Sequence, residues 1–125
     1  MKPALSLLLG CICIVLTTMA FGGDSSKQAV GPQTVTGEIT DTLCAAYKSH
    51  DHMMEQMKSM GTDKASCIQK CLQVGAKYSL YDAAQQKAYK IENPDKVESF
   101  AGRKVRVSGE VQKDKLKVEQ IEAVQ

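Results

Sequence analysis

The chain contains 125 residues, of which 16 are basic and 14 are acidic, and its formal net charge at pH 7 is +2. This near balance excludes the strongly basic surface with which proteins commonly bind nucleic acids. The length allows one small domain with a modest hydrophobic core.

Residues 1–20 have the composition of a secretory signal peptide. Lys2 supplies a positive start, an apolar run covers 5–16, and small residues precede a cleavage site near Ala20. That run is shorter than the about 20 apolar residues that a membrane-spanning helix needs. We therefore expect an exported protein, periplasmic or secreted, without a membrane span. Cys11 lies in a segment that resembles a lipoprotein cleavage box, but the apolar run continues beyond it, so lipidation is not expected.

Residues 21–33 are rich in glycine, serine and polar residues, which is typical of a flexible linker. We predict that the domain spans 34–125. It begins with a strand at 34–41, where apolar and polar residues alternate and β-branched residues are frequent. The insertion that follows, 42–75, has a helical pattern and contains both histidines and three of the 5 cysteines of the chain.

The first part of the insertion is predicted to be one helix over 43–60. Helical periodicity places one histidine on an apolar stripe, which is formed by Leu43, Tyr47, His50, Met54 and Met57. His52 points away from this stripe. Methionine at helical spacing is more often a core residue than a ligand, because its flexible side chain fills irregular gaps. Core packing is therefore the first interpretation of these methionines.

A second helix is predicted from Thr62, which acts as its cap, to just before Gly75. It carries Cys67 and Cys71, which lie one turn apart. Residues four apart are neighbours on a helix, which suits two sulfurs that bind one ion. A disulfide between them would need Cβ atoms about 3.5–4.5 Å apart and would strain the helix. Any disulfide is therefore expected to join Cys44 to Cys67 or Cys71.

The rest of the domain consists of short strand patterns separated by turns. Strands are predicted at 78–82, 87–91, 104–111 and 116–121. A short helix is predicted at 94–101, with Asn93 as its cap and Gly102 after its end. Gly37 and Gly109 fall inside strand patterns, where a glycine usually marks a bend or a bulge.

This order of elements predicts a mainly β protein with a helical insertion, of the α+β class. We expect five antiparallel strands to close into an OB-like barrel, with helices between strands 1 and 2 and between strands 3 and 4. The break in alternation from Val118 to Ile121 predicts a bulge in the last strand. An open antiparallel sheet with helices on one face is the alternative, and it contains the same elements.

The cysteines, histidines and methionines of the insertion support two interpretations. In the first, they bind copper or zinc, because thiolate, imidazole and thioether groups suit these metals. The metal ligands are then Cys44, His50, Cys67 and Cys71, with His52, Met54 and Met57 as additional ligands. In the second, one disulfide stabilises the domain by roughly 2–4 kcal/mol, and the third cysteine is buried and inert.

Other functions fit the same elements. OB barrels bind small ligands and glycans on the sheet face, where Tyr78, Tyr81 and Tyr89 offer stacking surfaces, and an envelope protein is another partner of this kind. A thiol oxidoreductase would carry C-x-x-C in a βαβ context, whereas Cys67 and Cys71 enclose three residues. No nucleophile elbow, P-loop or H-E-x-x-H motif occurs, so we expect no enzyme and assign no catalytic residue.

Several short segments and single residues carry a resemblance to a known group of proteins. They are the segments 37–44, 75–81 and 100–109, and the residues His50, Met53, Met54, Cys67 and Cys71. Together they resemble small exported bacterial OB-like domains of unknown function, over about residues 34–124. In that group a cysteine before the insertion, a histidine and a C-x3-C pair occur together, which Cys44, His50, Cys67 and Cys71 match. The resemblance implies the barrel and export, and it implies no activity.

Overall fold

The computed structural model describes residues 31–48 and 50–125. The predicted signal peptide, the lipoprotein-like Cys11 and residues 21–30 of the predicted linker lie outside the described residues. Within the described ranges, none of the helices has the length and apolar character needed to cross a membrane.

Five strands form one mixed sheet, which confirms the prediction of a mainly β domain with a few helices. The strands are β1 Gly31–Asp41, β2 Tyr78–Asp82, β3 Lys87–Ile91, β4 Lys104–Gln112 and β5 Lys115–Ala123. Neighbouring strands are antiparallel, except that β3 and β5 are parallel. The order is β1-β2-β3-β5-β4, and the sheet closes because β4 also pairs with β1.

β1 begins three residues earlier than the predicted domain start. Gly31 lies opposite Val111 and Gln33 lies opposite Gly109 in the pairing with β4. Residues 31–33 therefore belong to the sheet and not to the linker. Their composition did not indicate a strand, because glycine and proline are depleted in strands.

Two glycines inside strands, Gly37 and Gly109, allow the close approach of neighbouring strands. A Cβ atom at Gly37 would collide with the carbonyl oxygen of Tyr81 in β2. A Cβ atom at Gly109 would collide in the same way with the carbonyl oxygen of Lys117 in β5. Both contacts involve rigid backbone, so a larger residue at either position would push two strands apart.

The predicted bulge in the last strand is confirmed. Ser108 lies opposite Gln120, whereas the next residue, Gly109, lies opposite Val118. Glu119 is therefore the extra residue of β5, and the register shifts at this point. A bulge of this kind increases the local twist of a strand, which helps a small sheet to curve.

The main core fills the interior of the sheet. It combines residues from all five strands with one residue of the insertion and one of the segment between β3 and β4. Its buried members are Val35, Ile39, Ile68, Tyr78, Leu80, Tyr89, Ile91, Val97, Val105, Val107, Val111, Leu116 and Val118. Ile68 is the member that fixes the insertion to the sheet.

The prediction of one helix over 43–60 is wrong. The segment contains α1 Thr42–Tyr47, α2 His50–Gln56 and a 3-10 turn at Lys58–Met60. Lys48 ends α1 in the left-handed region with a φ of 58°, and its backbone N–H donates to the carbonyl of Ala45. Because this turn redirects the chain, the predicted apolar stripe does not exist. Leu43, Tyr47 and Met57 are 41%, 59% and 45% exposed, whereas His50 is buried.

The last helix of the insertion, α3, spans Lys64–Gln73. Its N-cap is Asp63, one residue later than the predicted cap at Thr62. The Asp63 carboxylate accepts a hydrogen bond from the backbone N–H of Ser66 at 2.9 Å. The helix ends before Gly75, which has a φ of 101°.

The predicted helix over 94–101 is replaced by two 3-10 turns, Pro94–Lys96 and Glu98–Phe100. Asn93 does not cap a helix. Its side chain instead binds both backbone groups of Val118 in β5, at 2.7 and 2.8 Å. Since this segment is anchored to β5 at its start, it crosses to β4 in short turns.

Candidate metal centre

Cys44 is positioned by the junction of β1 and α1. Asp41, the last residue of β1, caps the helix, and its Oδ1 accepts hydrogen bonds from the backbone N–H groups of Leu43 and Cys44, both at 2.9 Å. This cap directs the first turn of α1, so that Cys44 is 1% exposed. Asp41 itself is fully buried, and its second oxygen, Oδ2, has no hydrogen-bond partner in the described part of the protein.

Cys67 and Cys71 lie on the buried side of α3, next to the core residue Ile68, and all three side chains are fully buried. The packing of Ile68 against the sheet therefore sets the position of both thiols. Their one-turn spacing brings the two sulfurs to the same face of the helix, as the sequence predicted.

The three thiols converge although they come from two separate helices. The sulfurs of Cys44 and Cys67 are 3.6 Å apart. All three sulfurs, including that of Cys71, lie within 4.8 Å of one another. Two sulfurs bound to a tetrahedral zinc ion are about 3.8 Å apart, given a bond length of about 2.3 Å. The arrangement therefore suits a shared ion with little movement of the side chains.

The predicted disulfide from Cys44 to Cys67 or Cys71 is not present at bonding distance. A disulfide requires a sulfur separation of about 2.05 Å, and all three residues are free thiols.

Burial disfavours the charged form of the thiols. Burial, together with the nearby Asp41 carboxylate, raises the pKa of Cys44 far above its ordinary value. The same causes raise the pKa of Cys71 to about 12. A thiolate here therefore needs a cation, and a metal ion that binds must displace protons.

Soft side chains surround the thiols. Met53 and Ala76 are buried with the three cysteines in a small core of their own, and Met54 and Met60 pack against it. This placement agrees with the interpretation that the methionines are packing residues. Met57, the other methionine predicted as an additional ligand, is not part of this core.

His50 lies beside the thiols and is 5% exposed. Its Nε2 is 3.0 Å from the hydroxyl oxygen of Thr40 and 3.3 Å from Oε1 of Glu38. Its Nδ1 is buried and, within the described part of the chain, has no hydrogen-bond partner. Glu38 also accepts a hydrogen bond from the ammonium group of Lys64 at 2.7 Å. Burial acts to raise the pKa of Glu38, but the hydrogen bonds and charges of His50 and Lys64 outweigh it and lower the pKa.

The predicted ligands fall into two groups that share one residue. Ligand atoms of Asp41, Cys44 and His50 lie within 4.8 Å of one another, as do those of the three cysteines. Among the described residues, no group within this limit joins His50 to Cys67 or Cys71.

Sequence reasoning missed Asp41, which was assigned only to the first strand. An available signal was its position three residues before Cys44, at the boundary between a strand and a helix, where an aspartate is a preferred cap. His52, predicted as an additional ligand, is exposed and belongs to neither group. Its ring lies near that of Tyr47, with a centroid distance of 6.2 Å.

A cavity of about 540 Å³ opens next to the site. Cys44 and His50 line it, whereas Cys67 and Cys71 do not. The cavity therefore reaches the site on the side of Cys44 and His50. Of the three tyrosines predicted for a ligand-binding face, only Tyr81 lines this cavity, and Tyr78 and Tyr89 are buried in the main core.

No protein-family model, curated protein or solved structure matches this chain. The candidate functional residues are therefore those that the fold brings together, namely Asp41, Cys44, His50, Cys67 and Cys71.

Proposed function

We propose that this protein is an exported, non-catalytic OB-like module that binds zinc or copper(I) through Cys44, Cys67 and Cys71. The observation that carries the proposal is the convergence of three free, buried thiols within 4.8 Å of one another. Thiolates are the preferred ligands of both metals in proteins.

The buried carboxylate beside the thiols favours metal binding over inert packing. Cysteine alone can act as a small hydrophobic residue, and three buried thiols would then need no ion. Asp41 adds a negative charge at 0% exposure, with one oxygen unpaired among the described residues. Although Oδ1 accepts two backbone hydrogen bonds, a buried charge is costly as long as it is not paired with an opposite charge and fully hydrogen-bonded. A cation at the thiols reduces this cost, whereas inert packing leaves it.

The strand order supports the OB-like part of the proposal. An OB fold is a five-stranded Greek-key barrel in which the loop between strands 1 and 2 contributes to ligand binding. Here the insertion that carries the thiols lies between β1 and β2. The metal site therefore occupies the region that such barrels use for recognition.

The experiment is a metal titration of the reduced protein, in competition with a chromophoric chelator, for Zn²⁺ and for Cu(I). Thiols are counted in the metal-free and loaded forms. We expect three reactive thiols without metal, and their protection when metal is bound. The Cys71→Ser variant should lose more than about 100-fold in affinity, since even outer-shell changes cost 10–100-fold.

The exposed Met57 offers a matched control, because Met57→Ala alters a soft side chain of the same insertion outside the thiol core. The affinity of this variant for Zn²⁺ and for Cu(I) should equal that of the unaltered protein. Equal thiol reactivity with and without both metals would contradict the proposed function.

A further inference from the structure

Two buried polar atoms at the centre lack hydrogen-bond partners among the described residues. They are Oδ2 of Asp41 and Nδ1 of His50. The two side chains are 0% and 5% exposed. An unpaired buried oxygen or nitrogen costs free energy that a bound ligand would recover. Both residues belong to the group that shares Cys44 with the three-thiol cluster.

The surroundings of His50 determine which ring nitrogen is available. Its Nε2 faces Oε1 of Glu38 at 3.3 Å and the hydroxyl of Thr40 at 3.0 Å. A carboxylate can only accept, so it places the imidazole proton on Nε2 and leaves the lone pair on Nδ1. Metal-binding histidines typically donate their second N–H to a carboxylate in this way. Nδ1 of His50 is therefore prepared as a ligand.

One ion does not fit all the ligands. A sulfur and a nitrogen on one tetrahedral zinc ion lie about 3.6 Å apart. Yet, in the described residues, no group joins His50 to Cys67 or Cys71 even within the wider limit of 4.8 Å. The ligands form two groups of three that share Cys44. Two neighbouring ions, each bound by one group, fit this arrangement.

The charges of the ligands also favour two ions. When metal is bound, the three cysteines are thiolates, and with Asp41 they carry four negative charges in a buried site. His50 is neutral as a ligand. Two divalent ions supply four positive charges and balance the site, whereas one divalent ion leaves two negative charges buried without compensation.

We propose that the centre binds two zinc ions that share the thiolate of Cys44, an inference that rests on the proposed function. One ion binds Cys44, Cys67 and Cys71. The other binds Cys44, Asp41 and Nδ1 of His50. With zinc–sulfur bonds of about 2.3 Å, the ions lie at most about 4.6 Å apart, close to the spacing of known two-metal sites.

The second ion lies on the side of the cavity, which Cys44 and His50 line. Its three protein ligands leave one position of a tetrahedral shell to be filled. A water molecule or a small anionic or thiol ligand that enters the cavity can take this position. The first ion, among the fully buried Cys67 and Cys71, has no such access from the cavity.

The test is zinc stoichiometry, measured by equilibrium dialysis and elemental analysis on the full reduced protein. We expect two ions per chain for the unaltered protein and one for His50→Ala. The matched control is His52→Ala, two residues further along α2 and outside both groups, which should keep two ions. Circular dichroism of the metal-free variants confirms that they fold.

The outcomes separate the two proposals. One ion in the unaltered protein overturns the two-ion centre and leaves the proposed function standing. Binding of no zinc ion overturns the two-ion centre and the zinc form of the proposed function, and the copper(I) titration described above then decides the rest of that proposal. Two ions in His50→Ala overturn the assignment of the second site.

A measurement on the unaltered protein covers the case in which His50→Ala does not fold. The protein loaded with ¹¹³Cd²⁺ should give two NMR resonances. The resonance of the ion with three thiolates should lie downfield of that of the ion with one thiolate, one carboxylate and one imidazole. A single resonance at full loading overturns the two-ion centre.

Discussion

At the scale of single residues, Asp41 belongs both to the cap of α1 and to the candidate metal centre. Its Oδ1 caps α1 and thereby positions Cys44, while its Oδ2 remains unpaired in the described part of the chain. Capping α1 needs only a hydrogen-bond acceptor at this position. The proposed binding of a metal ion through Oδ2 needs a negative charge. The two roles can therefore be separated by substitution.

Asp41→Asn and Asp41→Ala form the matched pair for this test. Asparagine is as good a cap as aspartate, so the metal-free Asn variant should unfold at nearly the same temperature as the unaltered protein, whereas alanine should lose about 0.5–2 kcal/mol. Both variants should bind the second zinc ion at least about 10-fold more weakly. Thermal unfolding and zinc competition measure the two effects. Unchanged zinc affinity in both variants would remove Asp41 from the ligands.

Glu38 makes the stability of the fold depend on pH. Although burial opposes it, hydrogen bonds from His50 and Lys64 lower the pKa of Glu38 below its ordinary value of 4.5. The ionised group therefore stabilises the folded state fully above about pH 4.5, and this contribution is lost as the pH falls through the lowered pKa.

Glu38→Gln should accordingly be less stable than the unaltered protein at neutral pH, and the difference in unfolding free energy should shrink below about pH 4.5. Urea unfolding of the metal-free proteins at several pH values measures it. Glu110→Gln, at an exposed position of β4, is the control and should track the unaltered protein. A difference that stays constant from pH 7 to pH 3 would contradict this account.

The sequence indicated the cysteines and His50 because their residue types are typical metal ligands. It did not indicate that His50 groups with Asp41 instead of Cys67 and Cys71, because this depends on the turn at Lys48. That turn separates α1 from α2 and places His50 against Glu38 and Thr40. Spacing along the chain carries no information about such a contact.

At the scale of elements, α3 is the part of the insertion that holds the thiols in place. Ile68 lies between Cys67 and Cys71 in the sequence and is fully buried in the main core. The packing of Ile68 in this core, with Leu72 of the same helix packed against it, therefore also fixes the positions of two candidate metal ligands. Strand alternation predicted the sheet well, but it could not predict how the insertion packs against it.

Ile68→Ala should destabilise the metal-free protein by about 2–5 kcal/mol, because it removes buried methyl groups and leaves a cavity. Zinc affinity should also fall, since α3 is no longer held against the sheet. Val74→Ala, a 75% exposed position just after α3, should change stability by less than about 0.5 kcal/mol. Denaturant unfolding measures both. Equal stability of the two variants would show that Ile68 does not anchor the helix.

The segments 43–60 and 94–101, each predicted to be one helix, show why the helices were harder to predict than the strands. The hydrophobic pattern over 43–60 is compatible with one helix, yet Lys48 adopts a left-handed conformation. Likewise, Asn93 is a good cap by type, but its side chain binds the backbone of Val118. At Asn93, a contact with a distant part of the chain overrides the local preference.

At the scale of the whole molecule, closure of the sheet determines which residues meet at the candidate metal centre. The closed strand order brings the end of β1, with Asp41, and the first turn of α1, with Cys44, next to the α3 cysteines. The alternation of apolar and polar residues does not specify which strands pair with each other. It therefore predicts neither the parallel pairing of β3 with β5 nor the closure of the sheet. A ligand that binds only the folded chain should stabilise this entire arrangement.

Zinc should therefore raise the unfolding free energy of the whole domain. At a free zinc concentration 100 times the dissociation constant, one site contributes about 2.7 kcal/mol. The melting temperature should rise with zinc and return to its starting value after addition of a chelator. Cys67→Ser, as the matched control, should show a much smaller rise. A melting temperature that does not depend on zinc would argue against a metal centre in the folded protein.

The most direct test of the account is X-ray absorption spectroscopy of the zinc-loaded protein, because it reports the atoms bound to the ion. Sulfur atoms should form a shell at about 2.3 Å from zinc, and this shell should diminish in the Cys67→Ser variant. A shell that contains only nitrogen and oxygen at about 2.0–2.2 Å would contradict the central claim that the buried thiols bind the metal.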